Sequence, residues 1–281
     1  MILVTGASGT LGRLVVQALV NRRTPVRALT RDSTHIPPRD GLEIAQGDLG
    51  DERSLEGALR GVSAVFAIVA GEQLATQDQN LVEAAARAKV DHLVKLSVLS
   101  AGYEAEDPIT KWHRQGERVV RHSGIDWTIL RANAFMSNAL NWAETIRSHT
   151  TVYAPFAGAP VSAVAPDDIA EVACECLATP RSRGSILELT GPAALSVRQQ
   201  VSVLSRVLGR DLRAVDAPAQ EVRAAMTKGG MSATMADAVV AMLAQAEKPF
   251  SSKVSDGVHA MLGRRATSFE VWCGANCRSF E

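Results

Sequence analysis

The stretch Thr5-Gly6-Ala7-Ser8-Gly9-Thr10-Leu11-Gly12 decides the fold. It stands between an apolar run, Ile2–Thr5, and a segment of helical periodicity, Leu11–Val20. Gly6 permits a tight turn, Gly9 lets the backbone approach a ligand without a Cβ in the way, and Gly12 allows close packing of helix on strand. A helix opening from such a turn offers free N–H groups and the positive end of its dipole to an anion. Ser8, Thr10 and Leu11 join the three glycines in the expected cradle for the pyrophosphate of a dinucleotide. The alternative is a tight strand-to-helix connection that binds nothing, for which three glycines in this register are a costly solution.

Outward from this turn, short apolar runs alternate with longer amphipathic ones. Val26–Leu29, Glu43–Gln46, Ala64–Val69, His92–Ser97 and Trp127–Leu130 read as strands. Ser54–Leu59, Thr76–Lys89 and Ile109–Ser123 read as helices between them. The expected fold class is α/β, a doubly wound Rossmann-type parallel sheet with a smaller, mainly helical C-terminal domain. Residues 1–152 are assigned to the dinucleotide-binding domain, with 165–190 returning to it, and 153–281 to a smaller substrate-binding domain. Ala134–Ser148 is expected as a helix, Ile186–Leu189 as one more strand, and Val197–Leu208, Ala219–Lys228 and Ser232–Ala246 as helices.

Composition narrows the function. Of 281 residues 46% are apolar and 21% charged, and the formal net charge is zero, so no basic excess favours nucleic acid. No apolar run reaches the ~20 residues of a membrane span. The chain starts directly on a strand-like run with no leader, and its cysteines (174, 176, 273, 277) have no metal-type spacing. These features predict a cytoplasmic protein without a metal, a monomer or homodimer with no direct nucleic-acid or membrane partner.

The second strand ends in Thr30-Arg31-Asp32. A site for unphosphorylated cofactor usually places an acidic residue there for the ribose 2′-hydroxyl. Arg31 instead suits a 2′-phosphate, with Arg27 as a possible helper, so the expected cofactor is NADP(H); the alternative is a solvated surface arginine. Asp48, after the third strand, is open between accepting from the adenine amino group and capping the next segment.

Several stretches then resemble the NmrA-like group of atypical short-chain dehydrogenase/reductases. They are residues 5–12, 26–32 and 47–49, Leu93–Ala101, Trp112–Glu117, Ser123–Asn138 and Leu262–Arg265 with Phe269. The resemblance covers nearly the whole chain. It implies a seven-stranded cofactor domain, a small helical C-terminal domain, and either a reductase of quinones and triphenylmethane dyes or a redox sensor that binds NADP(H) without turning it over.

Typical short-chain reductases use Tyr-x-x-x-Lys on one helix. Neither tyrosine here, Tyr103 or Tyr153, has Lys four residues on. Laid on the helix that opens at Asp107-Pro108, the pair falls on Ile109 and His113. His113 and Glu117 share a helix face. They are the candidate catalytic residues, His113 as proton donor or ribose ligand and Glu117 orienting it, or else merely an exposed pair. Ser97 and Asn133 follow the fifth and sixth strands and are expected near the nicotinamide, Ser97 equally as a small buried hydroxyl. Phe135 and Met136 are expected to wall a pocket for a hydrophobic or aromatic small molecule, Phe135 also touching the cofactor, with Trp112 and Tyr153 contributing; helix core packing is the alternative for Phe135 and Met136. A missing acid favours conjugated, electron-poor acceptors such as quinones, enones or dyes, which take hydride with little help from one.

Overall fold

A computed structural model describes all 281 residues. Seven strands form one parallel sheet: β1 (Ile2–Val4), β2 (Val26–Thr30), β3 (Leu42–Gln46), β4 (Ala64–Ala67), β5 (His92–Val98), β6 (Asp126–Ala132) and, further along the chain, β8 (Ser185–Leu189). Their order is β3-β2-β1-β4-β5-β6-β8. The chain reverses direction across the sheet between β1 and β4, which opens a crevice at their carboxyl ends.

By Cα proximity the chain divides into two compact units. The first comprises residues 1–101, 111–131 and 166–187. Here Leu3, Leu29, Val65 and Leu93 on one sheet face pack with α2 (Glu52–Ala58), α3 (Leu74–Arg87) and α4 (Pro108–Arg121) through Leu55, Leu81 and Val120. On this burial the unit depends: each of these side chains contributes about 1.5–3 kcal/mol when withdrawn from water. On the other face α1 (Thr10–Asn21) packs against α6 (Pro166–Ala178). Helix α4 starts as its sequence dictates: Asp107 accepts from the Thr110 N–H at 2.9 Å and Pro108 takes the first helical position.

The second unit comprises residues 102–110, 132–165 and 188–281. Its core gathers Met136, Ile146, Val152, Val201, Leu204, Phe269 and Trp272. Two sequence expectations change here. Residues 132–152 pack in this unit, not with the dinucleotide-binding domain, because their apolar side chains meet α7 (Val197–Leu208) and α11 (Phe269–Asn276). The helix expected over 134–148 is a 3-10 stretch, Met136–Trp142, followed by the short α5 (Ala143–Ser148). Residues 133–135 are instead drawn into extended pairing, with Phe135 bridged to Val164. A two-stranded parallel sheet of β7 (Thr151–Ala154) and β9 (Arg213–Asp216), absent from the sequence reading, completes the unit. Helices α8 (Ala219–Lys228), α9 (Ala233–Leu243) and α10 (Gly257–Leu262) account for much of the remaining chain. No helix is long and apolar enough to cross a membrane.

Candidate functional site

The turn after β1 is built as its glycines require. Gly6 has φ +58°, a region open to glycine and costly for other residues. The Gly9 N–H closes the turn on the Gly6 carbonyl at 3.0 Å. A Cβ on Gly12 would lie 2.1 Å from that carbonyl oxygen and 2.7 Å from the Ala7 Cα. Gly12 therefore admits the turn itself beneath the helix, a closer approach than the helix-on-strand packing expected of it. Thr5 pins the turn by exchanging two 2.8 Å hydrogen bonds with the Ile68 backbone after β4. No side chain caps α1, so the N–H groups of Thr10, Leu11 and Gly12 have no acceptor within the helix. The Leu11 side chain is buried, which leaves only its backbone for a ligand.

A cleft of about 300 Å³ runs from this turn across the carboxyl ends of β1 to β4, and Gly6, Ser8, Arg31, Asp48 and Ile68 line it. Arg31 is exposed there, at the end of β2. Arg27 does not assist it: its guanidinium is bound to Glu43 at 2.7 and 2.9 Å and to the carbonyls of Ala58 and Arg60. Asp32 also lines the cleft, yet its carboxylate accepts from the Thr34 hydroxyl and N–H. Those bonds lower its pKa. Asp48 accepts from the Gly50 N–H at 2.7 Å, while the cap of α2 is Asp51.

Along α4 the arrangement departs from expectation. Glu117 does not orient His113. Its two oxygens are taken by Ser97, donating at 2.6 Å, and by Arg131, donating from Nε at 2.9 Å and from a terminal nitrogen at 2.6 Å. Ser97 is accordingly buried with its proton committed. His113 is buried and its Nδ1 has no hydrogen-bond partner. Burial, and then the charge of Lys95, lower its pKa to about 3. An exposed helix pair is thus excluded, and burial opposes protonation of the ring. Lys95 itself is bound to Asp78 beneath the same helix, at 2.5 Å. Lys95, Asp78 and Arg131 escaped the sequence reading. A lysine inside the apolar run of β5 and a glycine at the middle of α4 were the available signals.

The histidines predict an acid limit. Burial also lowers His92 to about 4. Below the ordinary value of 6.5 the unfolded chain takes up protons that the folded chain refuses, so stability falls as pH drops from about 6.5 toward 4. Urea midpoints measured across that range should decline steadily; a flat profile, with His113 titrating near 6.5 by NMR, would contradict the burial.

Residues expected around the substrate divide between the two units, Trp112 in the first and Phe135, Met136 and Tyr153 in the second. The Asn133 amide donates to the Ser162 hydroxyl and the Ser251 carbonyl, both at 2.9 Å, and so ties the second unit together. Phe135 is half-buried. Met136 is buried and lines a cavity of about 210 Å³ with Val161, Leu195, Val203 and Phe269. Trp112 is half-buried on α4, and Tyr153 is 62% exposed on β7 beside its register partner Val215.

Comparison with known proteins gives this geometry a family. Residues 6–180 match the family described as NAD(P)H-binding. The chain is 39% identical to a (4-alkanoyl-5-oxo-2,5-dihydrofuran-3-yl)methyl phosphate reductase of Streptomyces griseus, over 100% of this chain and 99% of that one. It is 33% identical to an NAD(P)H azoreductase of Xenophilus azovorans, again over 100% and 99%. In fold it matches an NADPH-dependent quinone oxidoreductase of Escherichia coli complexed with NADPH, with TM-score 0.87, 24% identity and coverage of 99% and 100%. The cradle after β1 and these whole-length likenesses agree: the chain belongs to the NAD(P)H-binding family.

Proposed function

We propose that this protein is an NADPH-dependent reductase of conjugated, electron-poor acceptors such as quinones, enones and azo or cationic dyes. The observation that carries it is the single cleft in which an uncapped helix start, two sterically required glycines (Gly6 and Gly12) and an exposed arginine come together. The reductases similar over their whole length support the chemistry. When bound, the cofactor supplies the hydride. The backbone of Gly6, Gly9, Thr10, Leu11 and Gly12, with the Ser8 hydroxyl, holds the pyrophosphate, and Arg31 pairs with the 2′-phosphate. His113 is a buried ring within α4, where burial opposes its protonation, and it serves as a hydrogen-bonding group. An acceptor that spreads incoming charge over a conjugated system suits a site without a charged proton donor. Ser97, Glu117 and Arg131 fix the helix face that carries the ring. Phe135, half-buried, is the proposed apolar contact of the acceptor. The four thiols, none in a disulfide, suit a reducing compartment, and we place the protein in the cytoplasm as a monomer or homodimer.

The experiment is NADPH oxidation with a panel of quinones, enones and azo dyes. Turnover of at least one class is expected. Tight NADPH binding with no turnover of any acceptor would defeat the reading.

A further inference from the structure

Lys95 is an unusual residue for its place. It stands in β5 among Leu93, Val94 and Leu99, all buried, and is itself 0% exposed. Its ammonium meets Asp78 Oδ2 at 2.5 Å, and Asp78 is 1% exposed. The second oxygen, Asp78 Oδ1, is buried without a partner. Burial raises the Asp78 pKa even against the nearby cation. Helix α4 runs directly over the pair. A Cβ on Gly116 would sit 1.9 Å from Asp78 Oδ2 and 3.0 Å from Lys95 Cε. The helix thus forgoes a side chain at mid-length, a choice that costs about 1 kcal/mol in helix propensity.

Stability does not account for this arrangement. Buried ion pairs replaced by apolar residues of similar volume are often neutral or stabilising. Here the pair is also incompletely hydrogen-bonded. What distinguishes it from a leucine and a valine is its field, and the ring that feels this field is His113. His113 precedes Gly116 by three residues, on the same helix face. Its buried nitrogen, Nδ1, has no hydrogen-bond partner. Neither carboxylate beneath the helix accepts from that nitrogen: Asp78 Oδ2 holds Lys95, Asp78 Oδ1 makes no hydrogen bond, and Glu117 holds Ser97 and Arg131. A neutral imidazole has one N–H and one lone pair, and a neighbour decides which nitrogen has which. A cation on the buried side attracts a lone pair there and repels an N–H.

We propose that Lys95 and Asp78 are positioning residues that act through His113: their buried pair beneath α4 keeps Nδ1 unprotonated, so the ring carries its hydrogen on Nε2 and offers it as a neutral hydrogen-bond donor. The consequence for substrate rests on the reductase reading. An acceptor would be oriented through a carbonyl oxygen that takes this hydrogen bond, and the proton completing its reduction would come from water. Quinones and enones present such an oxygen.

The test is nitrogen NMR on histidine-labelled, cofactor-free protein at neutral pH, with the His113 signals assigned by their loss in His113→Asn. In the wild type Nδ1 is expected to be unprotonated and Nε2 to carry the hydrogen. Lys95→Met with Asp78→Asn removes both charges while nearly keeping the shapes. In that double variant the Nδ1–H form is expected to appear in comparable amount. With a quinone, kcat should fall about tenfold, the loss of one hydrogen bond, while NADPH affinity stays unchanged. A wild-type ring protonated at Nδ1 overturns the inference, even if the double variant fails to fold. So does an unaltered tautomer ratio in a folded double variant. If the tautomer shifts as expected but no acceptor is turned over, the positioning stands and the reductase reading falls.

Discussion

Gly12→Ala is expected to abolish measurable NADPH binding while leaving a folded protein. The added Cβ would overlap the Gly6 carbonyl oxygen at 2.1 Å and the Ala7 Cα at 2.7 Å. Both are backbone atoms of a turn held at one end by Thr5 and closed by the Gly9 N–H. Neither can yield as the tip of a side chain does, so the turn must open away from α1. Overpacking of this kind costs about 1–3 kcal/mol of stability. The effect on binding is larger, because the turn and the first N–H groups of α1 must converge on one anion. Losing two charge-assisted bonds, each worth about 1.5–3 kcal/mol, weakens binding roughly a hundredfold or more. Circular dichroism and the thermal midpoint would establish that the sheet persists. Unaltered affinity in a folded Gly12→Ala protein would mean that the phosphates bind elsewhere.

Arg31→Ala is expected to erase the preference for NADPH over NADH. Arg31 is the exposed cation of the cleft at the end of β2, whereas Arg27 is consumed by Glu43 and two carbonyls. Pairing with a 2′-phosphate is worth about 1.5–3 kcal/mol, which is roughly ten- to a hundredfold in affinity. A second effect adds to it. Asp32 lines the same cleft, and its bonds to Thr34 keep it ionised. Without Arg31 this carboxylate would face the phosphate uncompensated. NADH lacks the phosphate and should bind nearly as before. Equal losses for both nucleotides, measured side by side, would refute the role of Arg31.

The phosphate turn and the doubly wound sheet were legible in the sequence because each depends on local chemistry. Glycine spacing sets the turn, continuous apolar runs set the buried strands, and Asp107-Pro108 opens α4. What escaped depends on partners distant in sequence. Asp78, Lys95, Glu117 and Arg131 lie on four different elements, and which acid meets which base follows from packing alone. The i, i+4 spacing of His113 and Glu117 suggested that they pair. Arg131, arriving from β6, takes the carboxylate because a bidentate guanidinium outcompetes a neutral ring. Asn133, expected near the nicotinamide, closes its amide on Ser162 and the Ser251 carbonyl, the latter more than a hundred residues away. The β7–β9 pair joins two four-residue strands some sixty residues apart, too short for any periodicity to register.

Isothermal titration of the purified, folded chain with NADPH and with NADH is the most direct trial of the nucleotide cleft. One NADPH per chain should bind, more tightly than NADH. No uptake of either nucleotide, reduced or oxidised, would contradict it.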